Sequence, residues 1–344
     1  MEIKANIPLA PFTTFGIGGP ARWFGEAASE ADVAEGCDWA RRRGVPLFVM
    51  GGGSNLLVSD AGFAGLVMHI AMAGIEQDGD GLRAAAGEPW DNCVEQATEA
   101  GLAGIECLAG IPGTVGGTPV QNVGAYGQEV SSVIERVRVF DVRAWEFREL
   151  EAKECGFEYR KSRFNTTDRG RFIVTRVDYR LRRSGEPQLT YADVKHHFQN
   201  RAGMPSLVEV ADAVRAIRRG KGMLMVEGDP DCHSAGSFFK NPVVPQEVAD
   251  QIRAFADSEG LVLRAYPADG GLVKLPAAWL IEQSGFGKGY AMGAAGISTR
   301  HSLALTNLGG ARAEEILALA REIGAAVEAK FGVRLEMEPE KVGF

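Results

Sequence analysis

The sequence predicts an α+β protein of more than one domain, and three observations carry that expectation. The chain has 344 residues, more than one small core organises. Short strand-like stretches are interleaved with amphipathic helical ones, without a regular βαβ repeat. The composition, 45% hydrophobic and 24% charged, is that of a globular chain, not a disordered one.

The elements follow in order. ASEADVAEGCDWARRRG (28–44) opens on Ser29 as an N-cap and runs amphipathically to Gly44. VPLFVM (45–50) reads as a buried strand feeding a glycine turn. GLVMHI (65–70) and GLRAAAG (81–87) read as short strands, and EPWDNCVEQATEAGL (88–102) as a helix closed by Gly101. IERVRVFDV (134–142), REL (148–150) and RFIVTRVDYRLRR (171–183) read as strands. After Arg183 the texture changes, and a domain boundary is expected before Gly222. LTYADVKHHFQNRAGMP (189–205) is polar and loop-like. LVEVADAVRAIRRGKG (207–222) is a helix with Val210, Ala213, Val214 and Ile217 on one face. Its Arg215, Arg218, Arg219 and Lys221 suit the negative end of a helix dipole. Helices follow at 244–260 and 309–332, the latter with a core stripe of Ile316, Ala320, Ile323 and Val327.

A net charge of −8 disfavours a general nucleic-acid binder, so any anionic ligand must meet a local basic cluster. The N-terminus MEIKANIPLAPF shows no signal-peptide pattern, and no apolar run approaches the roughly 18 residues of a membrane span. The cysteines, Cys37, Cys93, Cys107, Cys155 and Cys232, are odd in number and widely spaced. They suggest a reducing cytoplasm, with neither a zinc site nor a disulfide framework.

Glycine is the loudest compositional signal, with 44 residues and clusters at 16–19, 51–53 and 110–127. VMGGGSNLLVSD (49–60) is a strand followed by successive glycines whose N–H groups can form an anion nest. It lacks the Gly-Lys-Ser/Thr of a P-loop and the helix of a dinucleotide fingerprint. LAGIPGTVGGTPVQNVGAYGQEV (108–130) is a long, sparsely charged loop in which Gln121, Asn122 and Tyr126 offer hydrogen bonds and a ring. It can wrap a planar ligand through its backbone, or it can be an ordinary Ω-loop.

TTFGIGGPA (13–21), GGGSNLL (51–57), IPGTVGG and QNVGAYG (within 111–127), YRKSRF (159–164), SAGSFFKNP (234–242) and LEMEP (335–339) occur in one order. In that order they resemble the UDP-N-acetylenolpyruvoylglucosamine reductase family over essentially the whole chain. The resemblance implies a flavin-binding fold of the vanillyl-alcohol-oxidase type in two subdomains, 1–68 and 69–220, the second with a substrate loop. A substrate-binding domain, 221–344, follows. It implies a monomeric cytoplasmic enzyme with non-covalent FAD and NADPH as hydride donor, which reduces the enolpyruvyl ether of a UDP-sugar in peptidoglycan precursor synthesis. No nucleic acid or membrane partner is implied.

By motif position, Ser237 resembles the proton donor to the substrate α-carbon, Arg160 the holder of its carboxylate, and Glu338 the residue assisting enol stabilisation or proton relay. The carbanionic centre is basic enough that a positioned serine hydroxyl can protonate it. The arginine fork suits a carboxylate where a lysine does not. Singly, each has a bland alternative: a turn cap, a surface ion pair, a solvated tail residue; Glu336 and Glu340 also lie close by. Tyr191 resembles a tyrosine that folds over the substrate in one subclass. Tyr159, Lys221 and Asn241 resemble substrate contacts, the latter two at the UDP moiety. His301 is either a substrate contact or a buried structural histidine. The stretch 222–233, GMLMVEGDPDCH, departs from the shorter continuation of other members and leaves the path to Ser237 open. The flavin contacts implied are Gly51, Gly52, Gly53, Ser54, Asn55 and Leu56, and Ile111, Pro112, Gly113, Thr114, Gly117, Asn122, Gly124, Ala125 and Tyr126.

Two rivals stand beside this reading. A flavin-dependent oxidase on the same fold often holds its flavin through a histidine or cysteine, and 49–60 has neither. The same is true of 108–130. A nucleotide-binding module without catalysis explains the glycine loops but not the company of Arg160, Ser237 and Glu338.

Overall fold

A computed structural model describes residues 1–344. The chain forms two compact units, each gathered from several segments: 1–8, 20–53 and 63–220 in the first, and 9–19, 54–62 and 221–344 in the second. No helix is long and apolar enough to cross a membrane.

The first unit holds two sheets. In one, Ile3–Pro8 pairs antiparallel with Pro20–Ala27, which runs parallel to Phe63–Ile70, which runs parallel to Leu47–Met50. Helix α1 (Glu30–Arg43) packs on it. Ser29 caps α1 by accepting from Asp32 N, and Gly44 closes it at φ +60°. The strand Leu47–Met50, expected to be buried, is an edge strand with only Met50 fully buried. The other sheet is antiparallel, in the order Glu146–Glu151, Ile134–Asp141, Phe172–Arg180, Gly81–Ala85, Ile75–Asp78. Helix α2 (Trp90–Glu99) leaves this sheet, and Gly101 at φ +70° ends its turn. Trp90, Tyr179, Phe140 and Leu82 anchor the core.

Two sequence expectations change here. The polar stretch 189–205 contains a helix, α3 (Ala192–Phe198). Val194 is its one buried residue, so no apolar periodicity betrays it. In α4 (Leu207–Gly220) the expected face is inward, with Val210, Ala213 and Val214 buried and Ile217 against the core. The arginines near its end do more than meet a dipole. Arg215 forks onto Asp91, and Arg218 is buried with its Nε donating to Gly110 O at 2.9 Å.

The second unit packs α5 (Gln246–Ser258), α6 (Ala277–Gln283) and α7 (Ala313–Phe331) with short sheets. The stripe Ile316, Ala320, Ile323 and Val327 is buried as expected. Residues 9–19 and 54–62, which the sequence reading places in the first subdomain, cluster with this unit. The reason is local: Phe15, Ile17 and Leu57 fill its core, and Leu56–Val58 pairs in parallel with Glu340–Val342.

Candidate active site

The glycine loops of the first unit meet at backbone distance. An ideal Cβ on Gly52 would lie 2.7 Å from Gly113 Cα, and one on Gly51 2.7 Å from Thr114 Oγ1. Only residues without a side chain permit that approach. Loop 111–117 is pinned by backbone bonds: Trp90 N to Gly113 O, Val115 N to Glu88 O, and Gly116 N to Ala86 O. Thr114 Oγ1 is buried and has no hydrogen-bond partner. A buried orphan hydroxyl is costly unless something else meets it. The narrow glycine cradle and this hydroxyl therefore fit a bound dinucleotide cofactor. The Asn122 amide is already engaged with Glu129, Glu158 O and Ser131 N, so any flavin contact there falls to the backbone. Tyr126 is buried, hydrogen-bonded to Arg218 and edge-on to Tyr191 at 5.2 Å. Burial lowers the Arg218 pKa from its ordinary value.

YRKSRF folds into a tight hairpin. Glu158 and Lys161 exchange both backbone bonds, so Tyr159 and Arg160 form its tip. Arg160 takes φ +57°, a left-handed conformation uncommon for a non-glycine residue and typical of functional strain. Around it, Ser162 Oγ donates to Val120 O at 2.6 Å and Asn165 Nδ2 to Arg160 O at 3.2 Å. The guanidinium donates to Gly124 O at 2.7 Å and lies over the Tyr159 ring, which is exposed. The sequence reading gave Ser162 and Asn165 no role and took Arg218 only as a cation suited to a helix end. Only the place of Ser162 within the hairpin motif, and of Asn165 directly after it, could have signalled support for Arg160.

In the second unit SAGSFFKNP is a turn followed by an extended stretch. Ser234 is the turn residue: its Oγ accepts from Gly236 N, and its carbonyl accepts from Thr14 Oγ1 at 2.6 Å. Phe238 and Phe239 are buried and perpendicular to each other, with Phe15 against Phe238. Backbone bonds run from Phe238 N to Leu303 O (2.7 Å), from Glu338 N to Phe238 O (2.9 Å) and from Lys240 N to Glu336 O (2.9 Å). Ser237 is thus held beside the His301–Leu303 turn and the Glu338 segment, half-buried, with a hydroxyl that no protein group engages. Of the three neighbouring glutamates, Glu336 pairs with Lys240, Glu340 N bonds Asn55 O, and Glu338 lies next to Phe238. Asn55 Nδ2 donates to Glu338 O at 3.3 Å.

His301 is half-buried, and its Nδ1 accepts from Leu303 N at 3.3 Å, which leaves the ring proton on Nε2. Asn241 Oδ1 accepts from Ala277 N at the start of α6, so its Nδ2 is the end left for a ligand. Lys221 precedes Gly222 at φ +65°, whose ideal Cβ would lie 2.8 Å from Asp231 Cβ. Asp231 binds Thr299 N, Thr299 Oγ1 and Arg300 Nε, and Arg300 also pairs with Asp229. This clamp fixes the unusual 222–233 stretch to the loop that carries His301. The Arg300 pair lowers the Asp229 pKa, while hydrogen bonds from Thr299 and Arg300 outweigh burial and lower that of Asp231.

The glycine cradle and the buried Thr114 hydroxyl define a protein that holds a dinucleotide cofactor. A model of an FAD binding domain matches residues 23–144, and a model of the C-terminal domain of UDP-N-acetylenolpyruvoylglucosamine reductase matches 229–342. The reductase of Streptomyces coelicolor is 46% identical over 98% of this chain and 90% of its own length. That of Pseudomonas syringae is 41% identical over 98% of both. The crystal structure of the Thermus caldophilus reductase superposes with a TM-score of 0.68 at 29% identity, covering 99% of each chain. The chain belongs to the UDP-N-acetylenolpyruvoylglucosamine reductase family.

Proposed function

We propose that this enzyme reduces the enolpyruvyl group of UDP-N-acetylglucosamine enolpyruvate to the lactyl ether, giving UDP-N-acetylmuramate for peptidoglycan. NADPH is the hydride donor. The observation that carries the reading is the uncommitted Ser237 hydroxyl, set by backbone bonds next to the Glu338 segment. When bound, FAD would supply the hydride-transfer chemistry between NADPH and the substrate β-carbon. The residues of the chain do the rest. Gly51–Asn55 and 111–126 hold the cofactor, and the glycines let backbone N–H groups approach its diphosphate. The Arg160 fork, pre-set at its hairpin tip, holds the carboxylate on which negative charge grows during reduction. Ser237 Oγ gives its proton to the α-carbon, and Glu338 stabilises the enol or returns the proton. Tyr159, Tyr191, Lys221, Asn241 and His301 orient the UDP-sugar. The five cysteines are free and buried, which suits a reducing cytoplasm.

The test is colour. Under anaerobic conditions NADPH bleaches the bound flavin, and the enolpyruvyl UDP-sugar restores it with formation of the lactyl ether. An enzyme whose colour returns only with oxygen would be an oxidase, and one that never bleaches would be a binding module.

A further inference from the structure

Glu106 is wholly buried and carries a carboxylate that the reaction does not use. Three donors converge on it: Gly104 N at 2.7 Å, Gln128 Nε2 at 2.8 Å and Gln188 N at 2.9 Å. Gln128 in turn accepts from Cys107 N at 2.8 Å. Gln188 is held through its backbone N–H and carbonyl and through its side-chain nitrogen. Its carbonyl accepts from the Cys107 thiol at 3.2 Å, and its amide donates to Gly127 O and Thr190 Oγ1. Burial pushes the Cys107 thiol up to about 12, so it stays a protonated donor.

Three residues beyond Gln188 lies Tyr191, exposed, with its ring edge-on to Tyr126. Val194 of α3 fixes the far end of this stretch in the core, so the hold on Gln188 sets the near end of the short exposed span that carries Tyr191. A buried carboxylate satisfied by neutral N–H donors is an expensive choice for holding ordinary core, which apolar side chains fill more cheaply.

We propose that Glu106 is a positioning residue for the substrate arm: by fixing Gln188 at the arm's base it sets the place of Tyr191, and with it the affinity for the UDP-sugar, without touching the substrate. This rests on the reading of Tyr191 as a substrate contact.

The experiment compares the holoenzyme with Glu106→Gln and Gln188→Pro. The first turns one acceptor oxygen into a donor facing N–H groups. The second removes the arm's backbone donor together with the side-chain amide that bonds Gly127 O and Thr190 Oγ1, while Glu106 and its other two donors stay in place, so it keeps the test open if the first variant fails to fold. Loss of one hydrogen bond to a charged group predicts amide exchange of Thr190 and Tyr191 faster by about tenfold, and KM for the UDP-sugar raised by about as much. Flavin content and the rate of bleaching by NADPH should stay within about twofold of wild type, because the arm takes no part in them. Unchanged exchange in either folded variant overturns the anchor. Faster exchange with unchanged KM overturns the link to substrate, and Tyr191→Ala then separates two causes. An unchanged KM there means that Tyr191 is no substrate contact; a raised KM means that the anchor has no leverage over it.

Discussion

Arg160 and Gly52 show how single residues are placed by their backbones. Arg160 carries its guanidinium on a left-handed hairpin tip, and Gly52 owes its position to the hydrogen it has in place of a side chain. Gly52→Val would drive a Cβ to within 2.7 Å of Gly113 Cα, so the cradle must open. Overpacking of this kind costs about 1–3 kcal/mol, so flavin occupancy at fixed cofactor concentration should fall about tenfold or more, read as flavin absorbance per protein. Retention of full colour would mean that the cradle lies elsewhere. At this scale the sequence was uneven. Ser29, Gly44 and Gly101 declared themselves because caps need particular residue types. Arg218 did not, because a buried arginine and a solvated one look alike near a helix end. Glu106 did not either, since two of its three partners lie 22 and 82 residues away and two of the three donors are backbone.

The elements were legible where periodicity reports burial. The α7 stripe and the antiparallel strands follow their patterns, whereas α3 buries one residue and left no trace. Phe238 and Phe239 are buried and anchor the stretch that bears Ser237. At the end of the strand Ile134–Asp141, Asp141 is fully buried and gripped by Arg171 Nε and Nη2, the latter at 2.8 Å. The Arg171 bond is the largest influence and holds the carboxyl at about 2, below its ordinary 3.8. A depressed carboxylate pKa means the unfolded chain takes up the proton first. The stability contributed by Asp141 is therefore full above 3.8 and lost as pH falls toward 2. Urea midpoints of wild type and Asp141→Asn should differ at neutral pH and converge across that window. A difference that persists unchanged to the acid end would show that the pair does not act through charge.

At the scale of the molecule, each unit has its own apolar core, and each contributes a distinct part of the proposed chemistry. The first carries Gly51–Gly53, the loop 111–126, Arg160 and Tyr191; the second carries Ser54–Leu56, Ser237, Glu338, His301, Lys221 and Asn241. The order of six motifs along the chain made the family readable from the sequence. The spatial company of Ser237, Leu303 and Glu338 was not, because it depends on backbone bonds between segments some 65 to 100 residues apart. The central claim is that Ser237 donates a proton after hydride has arrived, and Ser237→Ala assayed as two separate half-reactions tests it most directly. The account predicts that NADPH bleaches the flavin of the variant at the normal rate, while recovery of colour with the enolpyruvyl substrate slows by at least about a hundredfold, as loss of a positioned acid requires. If both half-reactions slowed together, or neither did, Ser237 would not be the proton donor.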